Sequence, residues 1–272
     1  LIKHVDPSLH KEYTLERYKA GESGVSNYKK PSFDIPTPKF AKAKKENNFT
    51  NAEWCDKLPE GHYCLTYLKN RKIPKEKWNL FLFTAHYKQF LDALYPEHDK
   101  NLVDDARLVI PFYNEYDELI AVSGRALESS DKTIRYVTVR LNTDKNKLIY
   151  GIDKLNKDIQ VKIVEGPLDS IFLKNCVASG DANLSIASNN VDAKEKILIF
   201  DNECRNKEIV KMMETAIRNG HKIVIWPSSI SAKDINEMIM TGISEDELES
   251  IISSNTFDGL SAQAKLTFWK RC

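Results

Sequence analysis

Residues 160–175, QVKIVEGPLDSIFLKN, decide the fold. QVKIVE reads as a strand, Gly166 permits a sharp turn, and LDSIFLKN reads as the helix that follows. The pattern recurs downstream: KILIF (196–200) is a strand, DNE (201–203) a turn, and KEIVKMMETAIRN (207–219) a helix. Along that helix Ile209, Met213, Ala216 and Ile217 share one face, and Gly220 suits its C-terminal end. HKIVIW (221–226) is a third strand, and Ser244 with Glu247 makes a capping box ahead of DELESIIS. Unalternating apolar strands joined by helices predict an α/β fold with a parallel sheet covered on both faces.

Open parallel sheets build their sites at the carboxyl ends of the strands. Three such ends carry acids here: Glu165 and Asp169, then Asp201 and Glu203, then Asp234 after Lys233. Converging carboxylates repel unless divalent cations neutralise them, and hard oxygen ligands beside a phosphate-bearing substrate describe a magnesium site. Each piece has a plainer reading. Asp169, Asp201 and Asp234 can each cap a helix, and the order of the three pieces is what favours a shared site.

The chain has 272 residues, 40 Lys+Arg against 39 Asp+Glu, and 42% hydrophobic residues. That composition excludes collagen, a wholly disordered chain and a disulfide-built miniprotein. No stretch approaches the ~20 apolar residues of a membrane span, and the opening LIKHVDPSLH has no signal-peptide pattern. Cys55, Cys64, Cys176, Cys204 and Cys272 form no CxxC pair, which argues against a zinc ribbon within these residues and for reduced thiols in a cytoplasm. Cys55, His62 and Cys64 are the nearest approach to a ligand set and read as incidental.

Charge is uneven. Residues 1–75 hold 15 basic and 9 acidic side chains, with the excess peaking from Tyr28 to Lys45. A polyanion partner would account for this, as would a solvated linker. Residues 1–48 are therefore read as a short helix, with Leu9, Tyr13 and Tyr18 on one side, and a Lys/Pro-rich linker over Gly21–Asn48. Residues 49–157 form a basic α+β subdomain, mainly helical to about residue 100. A hairpin about 114–118 and strands at 134–141 and 148–152 follow. Residues 158–243 are the parallel-sheet domain and 244–272 a helical segment.

Strand–EGPLD–helix, strand–DNE–helix and strand–KD in this order resemble the TOPRIM fold shared by DnaG-type primases, topoisomerases and some nucleases. RLVIPFY (107–113), SGRAL (123–127), Arg135-Tyr136 and KLIYG (147–151) resemble the basic part of the DnaG-type primase core. IPKEKWNLFLFT, RLVIPFYNEYDELIAVSGRAL, VEGPLDSIFL, LIFDNE, KDINEMI and GLSAQAKL then resemble, segment after segment, the DNA primase subunit of T-even-like bacteriophages.

The resemblance implies RNA primer synthesis on single-stranded DNA from ribonucleoside triphosphates, in the cytoplasm of a bacterial host. It implies catalytic Glu165, Asp169, Asp201, Glu203 and Asp234, with Mg2+ (two ions) held by Glu165, Asp201 and Glu203. Template and nucleotide would meet Arg107, Arg125, Arg135, Tyr136 and Lys147. For Arg125 an ion pair stabilising a strand is the competing role. Implied partners are the hexameric replicative helicase and the single-strand DNA-binding protein, with no membrane. Primases of this kind carry a zinc ribbon ahead of a lysine-rich linker. The chain opens where that ribbon would end; either the ribbon lies upstream of these residues, which the missing Met favours, or the protein lacks it, and Zn2+ is expected only in such a ribbon and not in this chain. One departure is Asp201-Asn202-Glu203 where TOPRIM proteins have an Asp-x-Asp pair. The alternatives are a TOPRIM nuclease, disfavoured by RLVIPF and SGRAL, and a non-catalytic replisome scaffold, disfavoured by the retained acids.

Overall fold

The computed structural model describes residues 7–19, 49–98, 101–128, 134–141, 148–180 and 184–272. The Gly21–Asn48 linker and Lys147 lie outside them. The chain divides into residues 1–43 and 44–272. In the first unit, helix α1 (Pro7–Lys19) forms as expected and leaves Leu9 and Tyr13 exposed.

The second unit holds two sheets. The first comprises β1 (Glu53–Trp54), β2 (Leu82–Thr84), β3 (Arg107–Tyr113), β4 (Leu119–Ala126) and β5 (Tyr136–Arg140), antiparallel in that order. Helices α2 (Tyr63–Asn70) and α3 (Tyr87–Leu94) flank β2. The region expected to be mainly helical is therefore interrupted: Leu82, Phe83 and Thr84 pair with β3 because all three are buried between layers. The hairpin joining β3 to β4 forms as read. Asn114 Oδ1 accepts from the N–H groups of Tyr116 at 2.9 Å and Glu118 at 3.0 Å.

The second sheet comprises β6 (Ile149–Tyr150), β7 (Val161–Val164), β8 (Cys176–Ser179), β9 (Lys196–Leu198), β10 (Lys222–Val224) and β11 (Thr256–Phe257), in the order β11-β10-β9-β7-β8-β6. Four central strands are parallel, and the two-residue edges β6 and β11 are antiparallel, so the expected parallel sheet is mixed at its rims. Between these strands lie α4 (Pro167–Ser170), α5 (Leu184–Asn189) and α6 (Lys207–Arg218). After them come α7 (Ile235–Thr241), α8 (Glu245–Ser254) and α9 (Gly259–Trp269). The helix read over LDSIFLKN is shorter than expected. Strand β8, four residues long and built of small side chains, had not been anticipated.

Alternation sorts the core. Leu108, Ile110 and Phe112 of β3 join Val164, Ile197, Ile199 and Trp226 in one cluster, so both sheets share apolar residues on their facing sides. Val109 and Val122 turn the other way, onto Tyr87, Phe90 and Leu91. Ile163, Val177, Leu198 and Ile223 pack against Met213, Ala216 and Ile217 of α6 and Leu266 of α9. Each Val, Leu, Ile, Phe or Met side chain fully withdrawn from water contributes ~1.5–3 kcal/mol. The capping box of α8 is present as read.

From β7 the chain moves outward to β8, then crosses back to place β9 on the opposite flank of β7. Connections leaving β7 and β9 in opposite directions open a crevice at their carboxyl ends, the place where doubly wound sheets bind ligands. Glu165 follows β7 and Asp201 lies just beyond β9.

Candidate active site

Glu165, Asp169, Asp201 and Asp234 line one crevice with Val164, Phe200, Trp226 and Ile235. The loop ends are held tightly. Trp226 Nε1 donates to the Phe200 carbonyl at 2.8 Å, fixing the chain immediately before Asp201. Asn202 donates its backbone N–H to the Lys233 carbonyl at 2.6 Å and its Nδ2 to the carbonyls of Ile230 and Ala232, each at 3.0 Å. The DNE loop is thus bound to the loop that delivers Asp234.

The capping alternatives resolve differently for the three aspartates. Helix α6 begins six residues after Asp201, with Asn206 as its cap, so Asp201 caps nothing there. Asp234 does cap α7, accepting from the Glu237 N–H at 2.7 Å. Asp169 lies in the first turn of α4, whose cap is Gly166. Its Oδ1 accepts from the backbone N–H of Asn236 at 2.9 Å, in the first turn of α7. Two carboxylates therefore meet the donor-rich start of one helix, which offsets part of their repulsion.

The electrostatics fit a cation site. Burial, then the neighbouring carboxylates Glu165, Asp169 and Asp234, push Asp201 up to about 8. Burial and Asp234 push Asp169 up to about 7, against the Asn236 N–H and the Arg71 charge. Burial and Glu203 raise Glu165, against the Asp201 N–H and Lys233. Glu165 Oε1 is buried and accepts no hydrogen bond. A buried carboxylate oxygen without a donor, among acids that repel one another, is what a divalent cation satisfies. Among the described residues no three acidic, histidine or cysteine side chains already stand in metal-coordinating geometry. Glu203 is turned to Lys233 at 3.3 Å, and Asp234 to its own helix. The donor set fits magnesium, with side-chain adjustment.

The expected cations divide. Arg107 is 3% exposed. It makes two bonds to Asp105, at 2.6 and 2.8 Å, and donates to the carbonyls of Gly124 and Ile134 at 2.9 and 3.0 Å. It faces inward and is not brought to the acids. Its bonds and its position against the Tyr87 ring make it a strut of the first sheet. Gly124 in SGRAL is required by this packing, since a Cβ there would meet the Tyr87 ring at 2.5 Å and Arg107 Cδ at 2.8 Å. Arg125 is buried between Tyr67 and Tyr136, donating to both hydroxyls with their rings 5.7 and 4.8 Å away. Among the described residues its partners are these two tyrosines and no ion pair is seen. Arg135 is exposed and Tyr136 half-buried.

Arg71, Asn202 and Asn236 had not been singled out in the sequence. Only the Asn flanked by acids in DNE and the Asn of KDIN carried a signal, by their place beside the acids. The trio Cys55, His62 and Cys64 is accounted for structurally. His62 Nδ1 caps α2 by accepting from the Cys64 N–H at 3.2 Å, and the two buried sulfurs lie 3.8 Å apart.

No protein-family model matches the chain. It is 31% identical over 270 residues to the DNA primase of Enterobacteria phage T4, an alignment spanning 98% of this chain and 76% of that one. The chain belongs to the DNA primase family. Primases are nucleotidyltransferases that make RNA primers, and this primase shares the fold of bacterial relatives. It superposes on the E. coli primase catalytic core with a TM-score of 0.56 at 16% identity, covering 79% of this chain and 78% of that chain. On a DnaG primase catalytic domain bound to single-stranded DNA the TM-score is 0.55 at 15% identity, over 79% and 85% of the two chains. On the zinc-binding and RNA polymerase domains of the Aquifex aeolicus primase it is 0.55 at 19% identity. There 73% of this primase matches 57% of that chain, so it spans just over half of that relative. Among the described residues no helix is long and apolar enough to cross a membrane.

Proposed function

We propose that the acid crevice at the ends of β7 and β9 is the nucleotidyl-transfer centre for primer synthesis, and that it works with magnesium held by Glu165, Asp201 and Glu203. The observation that carries this reading is the buried, unpartnered oxygen of Glu165 facing a set of mutually repelling acids. Bound there, magnesium would lower the pKa of the attacking 3′ hydroxyl and neutralise triphosphate charge. Asp169 and Asp234 line the same crevice as Glu165 and Asp201 and support a second ion or orient the first. Asn202 ties the DNE loop to the loop that delivers Asp234, which positions the backbone from which Asp201 and Glu203 reach the ion.

The template is single-stranded DNA, in keeping with the structural relative that binds it, and the substrates are ribonucleoside triphosphates. Exposed Arg135 and half-buried Tyr136 are assigned to the nucleic acid, with Arg125 holding Tyr136 by its hydroxyl. Lys147 is assigned to the triphosphate from its place in KLIYG. The domain division at 48, 157 and 243 is kept as a functional division between linker, basic subdomain, TOPRIM-type catalytic unit and terminal helices. The proposed setting is the bacterial host cytoplasm. The proposed partners are a hexameric replicative helicase and a single-strand DNA-binding protein.

The test is an assay with single-stranded DNA, labelled ribonucleotides and magnesium. Short RNA products are expected from the parent, and none from Glu165→Gln or Asp201→Asn at unchanged circular dichroism. Wild-type synthesis by both variants would overturn the assignment. DNA cleavage without RNA synthesis would favour the nuclease reading.

A further inference from the structure

Arg71 closes α2 and Asn236 sits in the first turn of α7, 165 positions later. The two bond reciprocally. Arg71 Nη1 donates to Asn236 Oδ1 at 2.5 Å, and Asn236 Nδ2 donates to the Arg71 carbonyl at 2.8 Å. Asn236 is 2% exposed, so its amide has no water to fall back on. With the side chain anchored at both ends, the Asn236 peptide is fixed, and the N–H of that peptide is the donor to Asp169 Oδ1. On its other side the Arg71 guanidinium lies 5.3 Å from the Tyr67 ring, against which Arg125 also packs. A continuous series of contacts thus runs from Asp169 through Asn236, Arg71 and Tyr67 to Arg125.

We propose that Arg71 and Asn236 are positioning residues for primer synthesis: the clasp fixes Asp169 within the acid cluster and keeps that cluster in register with Arg125. This rests on the acid crevice being the nucleotidyl-transfer centre. Neither residue needs to touch substrate. The clasp acts through the Asn236 N–H, as outer partners act on metal-site carboxylates. The fold supplies a comparison for a merely structural clasp. Lys77 also ties the first part of the chain to the second, through the Ile171 carbonyl and Glu245, both at 2.7 Å, and neither partner is one of the crevice acids.

Steady-state primer synthesis and thermal melting of the full chain test this in Arg71→Ala, Asn236→Ala, the double variant, Arg71→Lys and Lys77→Ala. In both single alanine variants kcat is expected to fall ~10–100-fold with KM for ribonucleotide unchanged. The double variant should lose no more than either single one, because one unit has been broken. Arg71→Lys should recover part of the activity, since an ammonium also donates to Asn236 Oδ1. Lys77→Ala should lower the melting temperature and keep kcat. Additive losses would overturn the proposal, as would a raised KM at constant kcat. A kcat loss in Arg71→Ala no greater than in a Lys77→Ala protein of equal melting temperature would do the same. Should Arg71→Ala fail to fold, Arg71→Lys and Asn236→Asp carry the comparison, a parent-like kcat in both counting against the clasp. Glu165→Gln, run alongside, separates the two levels. Wild-type synthesis there condemns the catalytic assignment, whereas an inactive Glu165→Gln beside fully active clasp variants condemns only the clasp.

Discussion

A Cβ placed on Gly166 would lie 2.5 Å from Oδ2 of Asp169. Real Cβ atoms do not approach so closely, so the glycine of EGPLD is needed for the carboxylate beside it. Its own φ of −105° is open to any residue, and the restriction is spatial. In Gly166→Ala, Asp169 must leave its place or the turn must shift. Primer synthesis is expected to fall ~10-fold or more, with a stability loss of ~1–3 kcal/mol from overpacking. Steady-state kinetics with a denaturant melt checks both, and parent-like activity would contradict the placement of Asp169.

Acidity gives a second prediction. Burial and the neighbouring carboxylates push Asp201 up to about 8 and Asp169 up to about 7 in the folded chain, against about 4 when unfolded. Between those limits the folded protein keeps protons that the unfolded chain has released, so metal-free stability is greatest at the acid end of the window and falls as pH rises. The melting temperature in chelator should therefore drop from pH 5 to pH 8. Magnesium should raise it more at pH 8 than at pH 5, because it binds the deprotonated carboxylates. Asp201→Asn should flatten the slope. A chelated protein whose melting point rises over this range would contradict the crowding of the acids.

Arg107 gives the third. Since its guanidinium is engaged by Asp105 and two carbonyls inside the first sheet, Arg107→Ala is expected to cost ~3–5 kcal/mol of stability by stranding those groups. Chemical denaturation measures this. Nucleotide affinity lost at parental stability would return Arg107 to the phosphate-binding role that its motif suggests.

Much of this was legible because it is local. The apolar runs at 161–164 and 196–200, Gly166 and the acids after each strand sit within a few residues of one another, and so does the capping box of Ser244 and Glu247. Other features depend on distance. Phe83 sits in a run that reads as helix, and only its pairing with Leu108 makes it strand. Arg125 looks like a phosphate ligand in sequence, because nothing local says that Tyr67 and Tyr136 will engage it first; for Arg107 the competing Asp105 is only two residues away, but the carbonyls of Gly124 and Ile134 are remote. Arg71 and Asn236 are unreadable as a pair for the same reason, and Asn202 is hidden because its three acceptors come from the loop at 230–233.

The edge strands β6 and β11 are two residues each, yet they insulate the sheet. They occupy the outer edges of β8 and β10, whose backbone groups would otherwise be open to pairing with other molecules. Both come from outside the span that holds the acids. A polypeptide trimmed to residues 158–243 would retain every proposed carboxylate ligand and lose both guards, leaving Val177 and Ile223 on unprotected rims. Such a piece is set up to self-associate into intermolecular sheet, so solubility ties the catalytic segment to its flanks as firmly as chemistry does.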